Sequence, residues 1–295
     1  MRHIAEHLLD SARRDLGLSV DAVRKTVAAP EGETYRALAS LSDTVMGRRP
    51  LADGVVDAFY TRARRGERGE QAFVGGAEAM IMHGYPSTVI EGLPVDAVDR
   101  FLGLGNIWRG IDASAGGRVV DIGCGAGVDL GAATMLCSDT TLLVGIDKRP
   151  DLLHVAATAC PRAELVVGEI GALPLANGGF DLVLANGLPP LQRPATLRAT
   201  AGALRALTVR GGVVSATVIV AAPWLVDVSA EIFVGDEVLA RGMAVLMSGK
   251  PTIADVVDTF EAHGGRVSCH QGMNPYRDRD AARPSAMYTV CAVAA

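Results

Sequence analysis

Lysine is nearly missing from this sequence: of 28 basic residues only Lys25, Lys148 and Lys250 are lysine. That is the coding bias of a GC-rich bacterial genome and carries no functional signal. No C-x-x-C pair occurs, and the five cysteines (Cys124, Cys137, Cys160, Cys269 and Cys291) are scattered and odd in number. A zinc site or a disulfide framework is therefore not expected, and no metal is assigned. A basic excess is missing too. The net charge of −5 argues against nucleic acid as the main partner. There is no run of about eighteen uncharged apolar residues and no apolar leader, so the expectation is a cytoplasmic, soluble protein with no membrane partner. Residues 1 to about 100 also lack a strand signal. What is present is a hydrophobic fraction of 49% over 295 residues. That supports one large α/β domain, alone or with an appendage, and excludes general disorder.

The first third reads as helical. Ile4, Leu8, Leu9, Ala12 and Leu16 recur at helical spacing, and further helices are expected over about 32–46 and 51–65. Arg62, Arg64, Arg65 and Arg68, mixed with Glu67 and Glu70, read as a solvated helix end. His3 and His7 share a helix face, but two ligands do not make a metal site. Residues 74–106 are rich in Gly and Met and include M-H-G-Y-P at Met82–Pro86. A short helix is expected over Val95–Leu102, followed by G-L-G-N at Gly103–Asn106.

The chain is organised around V-V-D-I-G-C-G-A-G-V-D-L, Val119–Leu130. Val119, Val120 and Ile122 end a buried strand. Gly123, Gly125 and Gly127 follow at alternate positions, and an Ala-rich helix comes after them. Strand, glycine turn and helix open a nucleotide-binding βαβ unit. Asp121 then separates two cofactor classes. A dinucleotide places its pyrophosphate at the helix N-terminus, where a carboxylate would repel it. A carboxylate suits a cation instead, such as the ammonium group of S-adenosylmethionine. The third glycine of G-x-G-x-x-G is also missing, because Val128 or Leu130 stands there.

From Gly117 onward strands and helices alternate. The second strand, Leu142–Ile146, ends on Asp147, which lies 26 residues after Asp121. An acid there can accept from both ribose hydroxyls. The third strand, Ala163–Val167, leads into G-E-I-G-A-L-P. The fourth, Gly179–Asn186, places Asn186 beside the glycine turn if the sheet reverses direction between the first and fourth strands. Leu188–Leu191 would then line the acceptor side. A turn at Gly211–Gly212 enters the fifth strand. About 221–250 is a long apolar connection, read as a lid piece or an oligomer face. A helix over Thr252–His263 and two strands, Arg266–His270 and Met287–Val293, complete the pattern.

The motifs D-I-G-C-G-A-G-V-D, G-L-G-N and G-E-I-x-x-L-P resemble the class I S-adenosylmethionine-dependent methyltransferases, most closely the arsenite and quinone-ring subgroup. The resemblance covers about 105–295. It implies a Rossmann-like α/β sheet of seven strands in the order 3-2-1-4-5-7-6, the last antiparallel. A helical cap over 1–104 would precede a cofactor domain over 105–295. It implies cofactor contacts from Asp121, Gly123, Cys124, Gly125, Gly127, Asp147, Lys148, Glu169, Ile170 and Asn186, with Glu169 and Ile170 at the adenine. Arsenite enzymes carry thiolates where Leu104 and Gly187 stand here, so a small organic methyl acceptor is expected instead. The product would be S-adenosylhomocysteine. His83, Tyr85, His270 and Tyr276 are the candidate bases, and a homodimer is compatible with the sequence. A non-methylating cyclase or binding protein on the same fold, and a nicotinamide oxidoreductase, are the rival readings.

Overall fold

The computed structural model describes residues 74–113, 117–138, 142–188, 191, 193–222, 250–273 and 285–295. The expected helices before residue 74, the His3–His7 pair, the arginine cluster, Tyr276 and nearly all of 221–250 lie outside them.

Three short helices come first: α1 (Gly76–His83), α2 (Ser87–Gly92) and α3 (Val95–Asp99). Gly84 ends α1 in the left-handed region at φ 79°, and Pro86 and Pro94 precede α2 and α3. The helix expected to reach Leu102 stops at Asp99, because Arg100 and Phe101 close its last turn and the Phe101 carbonyl accepts the Gly76 N–H.

Seven strands follow: β1 (Arg118–Ile122), β2 (Leu142–Asp147), β3 (Glu164–Val167), β4 (Phe180–Asn186), β5 (Thr208–Ile219), β6 (Gly265–Gln271) and β7 (Met287–Ala294). Between them lie α4 (Val128–Leu136), α5 (Pro150–Ala159), α6 (Pro194–Leu207) and α7 (Ile253–Ala262). The sheet order is β3-β2-β1-β4-β5-β7-β6, as the motifs imply. The strands from β1 to β5 pair in parallel, and β7 runs antiparallel to both β5 and β6. The direction of travel reverses between β1 and β4, which makes their carboxyl ends the switch point.

Both faces of the sheet are covered, which is why its strands read as continuous apolar runs. Val120, Ile146, Val183 and Ala216 face α6 and α7. Val119, Leu143, Leu182 and Leu184 face α4, α5 and the three short helices, so residues 74–108 share a core with that face. Two local features differ from expectation. Leu188 and Leu191 are buried in the first core rather than exposed to an acceptor. An apolar pair after a strand reads the same in either place. The turn at Gly211–Gly212 is a bulge inside β5: α6 runs straight into the strand, and the pairing jumps from Phe180–Thr208 to Leu182–Val213. Asp181 is structural, as its carboxylate accepts the Arg118 N–H at 2.8 Å.

Candidate cofactor site

The glycine turn leaves β1 by hydrogen-bonding sideways to β2. The N–H groups of Gly123 and Cys124 both donate to the Ile146 carbonyl, at 2.7 and 3.0 Å. Gly127 then starts α4 at φ 80°, and a Cβ there would stand 2.8 Å from Ala156 Cα in α5. Only glycine meets both demands. Gly125 differs: a Cβ at that position would have nothing within 4 Å, because it faces a cleft. The cleft opens to solvent, and the space within its walls that a water-sized sphere can occupy is about 80 Å³. Its walls come from the glycine turn, from Asp121 and Asp129, from Asn186, from Arg149 and Leu152, and from Arg100–Gly103 after α3.

Three buried acids surround the turn. Asp147 ties it to the end of β2: Oδ2 accepts the Gly125 N–H and Oδ1 the Arg149 N–H, each at 2.9 Å. Burial raises its pKa, and those two N–H groups oppose the rise. Asp129 takes the Tyr85 hydroxyl on Oδ1 at 2.7 Å and Asn186 Nδ2 on Oδ2 at 2.9 Å. Burial raises its pKa too, against the pull of those donors. Asp121 is different, because its Oδ1 is buried with no hydrogen-bond partner among the described residues. Burial first, then the charges of Asp129 and Asp147, push it well above the ordinary carboxylate range.

The residues singled out from sequence are distributed as follows. Asp121, Gly123, Cys124, Gly125 and Asn186 line the cleft, while Asp147 and Gly127 stand behind its wall. Glu169 is exposed at the end of β3 and precedes a 3₁₀ turn at Ile170–Ala172, in which Ile170 is half-buried. Lys148 is exposed, and its neighbour Arg149 lines the cleft instead. His83 is buried edge-on to Phe101, and burial lowers its pKa to about 4. His270 lies on β6 beneath Gly110, where a Cβ would come 2.8 Å from Nε2.

Two features escaped the sequence reading. One is Asp129 as a buried hub. Its only local signal is an acid two residues after the third glycine, at the head of an apolar helix. The other is a row of polar side chains across β4, β5 and β7 at the switch-point end of the sheet: Asn186, Thr217 and Thr289 share one register. Residues 104–109 cross the sheet above that row. Asn186 Oδ1 accepts the Leu104 N–H at 3.0 Å, Ser215 donates to the Ile107 carbonyl at 2.7 Å, and Thr289 donates to the Asn106 carbonyl at 3.3 Å.

Comparison with known proteins bears on this geometry. Residues 119–212 match the model of a methyltransferase domain. An arsenite methyltransferase of Halobacterium salinarum is 30% identical over 138 residues, 45% of this chain and 35% of that protein. An uncharacterised protein of transposon TN4556 in Streptomyces fradiae is 34% identical over 74 residues, 24% of this chain and 21% of that protein. The chain thus spans about a third or less of the length of these curated relatives. An S-adenosylmethionine-dependent methyltransferase structure from Mesorhizobium loti superimposes with a TM-score of 0.47 at 17% identity, covering 62% of this chain and 93% of that one. The segment 119–212 is thus similar to methyltransferase domains, and it holds the glycine turn and the first four strands of a sheet ordered β3-β2-β1-β4-β5-β7-β6.

Proposed function

We propose that this protein transfers a methyl group from S-adenosylmethionine to a small organic acceptor in bacterial secondary metabolism. One observation carries the cofactor half of this reading: Asp121 Oδ1 is buried at the glycine turn with no partner among the described residues. A buried carboxylate without a counter-charge is costly, and a ligand ammonium removes the cost. The residues present fit S-adenosylmethionine on that ground. The same carboxylate would repel a dinucleotide pyrophosphate, which disfavours a nicotinamide reading.

In this reading Asp121 meets the ammonium. Gly123, Cys124 and Gly125 supply close backbone, and Gly127 sets the helix behind them. Each Asp147 oxygen accepts one N–H and keeps capacity for a ribose hydroxyl. Glu169 and Ile170 hold the adenine, with Lys148 and Arg149 adding positive charge beside Asp147. Asn186 forms the far wall. Residues 1–104 act as the cap and 105–295 as the cofactor domain. When bound, S-adenosylmethionine supplies a methyl group on a sulfonium leaving group. The protein's part is alignment, which can lower a barrier by about 7–11 kcal/mol.

The acceptor is read as organic because soft ligands are missing. Leu104 packs where a Cβ on Gly187 would meet its Cγ at 3.3 Å, so the two positions that carry thiols in arsenite enzymes adjoin here as leucine and glycine. We assign neither His83 nor His270 as base, since His83 is buried, His270 is half-buried on the edge strand β6 and neither lines the cleft, and the Tyr85 hydroxyl is already donating to Asp129. An acceptor with its own activated nucleophile, such as an electron-rich ring carbon, fits best. Among the described residues no helix is long and apolar enough to cross a membrane. We place the reaction in the cytoplasm.

The test is incubation with methyl-labelled S-adenosylmethionine and a fractionated small-molecule extract. Label in a small organic product supports the reading. Label only in protein or nucleic acid contradicts it, and cofactor binding with no transfer to any fraction favours a non-methylating protein.

A further inference from the structure

Side chains from two distant parts of the chain converge on Asp129. Tyr85 lies between α1 and α2 and Asn186 ends β4; Asn186 Nδ2 also donates to the Gly105 carbonyl at 3.1 Å, and the Tyr85 hydroxyl oxygen stands 3.2 Å from the same carbonyl. The other side of the Asn186 amide is taken by the Leu104 N–H at 3.0 Å and Thr217 Oγ1 at 2.7 Å. The Asn186 carboxamide is therefore fully committed within the protein. The Tyr85 ring packs edge-on against Phe101, a cleft wall, with centroids 5.5 Å apart. One phenol thus joins the cap, the segment crossing the sheet and the acid beside Asp121.

We infer that Tyr85 is a positioning residue: by donating to Asp129 it fixes that carboxylate, and with it the cap segment 103–106, next to the Asp121 that meets the cofactor. The inference rests on the cofactor reading above. Its physical content is electrostatic as well as steric. Burial and the nearby Asp129 charge hold the Tyr85 phenol far above its ordinary range, so it remains a donor. Its bond, that of Asn186 and the nearby Trp108 indole favour an ionised Asp129. Asp129, together with Asp147 from β2, then disfavours charge on Asp121. Arg100 from the cap and Arg149 before α5 line the same cleft with positive charge. An arriving ammonium compensates the Asp121 charge that burial, Asp129 and Asp147 disfavour. Without the Tyr85 hydroxyl, Asp129 ionises less readily and its charge weighs less on Asp121, so the acid limb of cofactor affinity moves to lower pH, while the lost tether to 103–106 weakens binding overall.

The experiment measures S-adenosylhomocysteine affinity by calorimetry over about pH 5 to 9 for wild type, Tyr85→Phe, Asp129→Asn and the double variant. Tyr85→Phe is expected to bind about 10-fold more weakly at neutral pH, with its acid limb moved to lower pH. On the Asp129→Asn background the same change should add less than about twofold, because the two act as one unit. Full additivity, or a Tyr85→Phe profile that overlays wild type, overturns the inference. If Tyr85→Phe does not fold, Asn186→Ser removes the other donor, and an unmoved acid limb there overturns it equally. Wild-type protein that binds no S-adenosylhomocysteine overturns the cofactor reading and this inference together. Wild-type binding with an unaffected Tyr85→Phe overturns this inference alone.

Discussion

The two sides of the switch point are built from opposite chemistry. On the β1–β2 side the strand ends carry buried acids: Asp147, which accepts two backbone N–H groups, and Asp121, whose Oδ1 has no hydrogen-bond partner among the described residues. On the β4–β5–β7 side the strand ends carry neutral groups, Asn186, Thr217 and Thr289, each bonded within the protein. The first side holds charge that folding alone leaves uncompensated, and the second holds a chain segment in place. Function and stability should therefore separate between them. Substitutions on the acidic side should weaken ligand binding, and can even stabilise the empty protein. Substitutions on the neutral side should cost stability first.

Asp121→Asn should separate them most. Losing one partner of a buried charge pair costs about 2–5 kcal/mol of binding, so S-adenosylhomocysteine affinity should fall by at least about 30-fold in calorimetry. The empty variant should nevertheless melt higher than wild type. The sign follows from linkage. The Asp121 pKa is raised in the folded state, so its penalty is absent at low pH and grows as pH rises above the ordinary carboxylate range. The melting-temperature gap should widen with pH, and a gap of the opposite sign would break the comparison. Asp147→Ala comes next. It should weaken binding by about 1.5–3 kcal/mol, or 10- to 150-fold. It should also lower stability, since it frees the Gly125 and Arg149 N–H groups. Affinity equal to wild type would remove Asp147 from the site.

Thr217→Val probes the neutral side. Its hydroxyl donates to Asn186 Oδ1 at 2.7 Å and accepts the Gly187 N–H at 2.6 Å. Denaturant unfolding should show a loss of about 1–3 kcal/mol. Binding to the folded fraction should change less than for either acid, and a larger effect on affinity than on stability would contradict the division. Cys124→Ala should be the mildest. The side chain is buried beside Gly145, where the position demands only small size. Affinity should stay near wild type, and a large loss would mean that the glycine turn is misread.

The acidic side was legible in the sequence because its signals are local. An apolar strand, alternate glycines and an acid at each strand end all lie within a few residues of the feature they build. The seven-strand order followed from the motifs for the same reason. The neutral side was not legible. Asp129 acquires its role from Tyr85, 44 residues away, and Asn186, 57 residues away. An acid in the first turn of a helix already has an ordinary explanation in the helix dipole. Asn186 was found, but its partners were not. Lys148 and Arg149 show the limit of adjacency: they are neighbours in sequence at the end of β2, and only Arg149 lines the cleft. The segment 104–109, tethered by Asn186, Ser215 and Thr289 from three strands, has no sequence signature beyond G-L-G-N.

The central claim is that the cleft at the glycine turn binds S-adenosylmethionine through its uncompensated carboxylate. Calorimetric titration of wild-type protein with S-adenosylhomocysteine, after removal of any copurified cofactor, tests it most directly. The account predicts one site with micromolar affinity and no heat from NADH. No binding of S-adenosylhomocysteine, or saturable binding of NADH in its place, would contradict it.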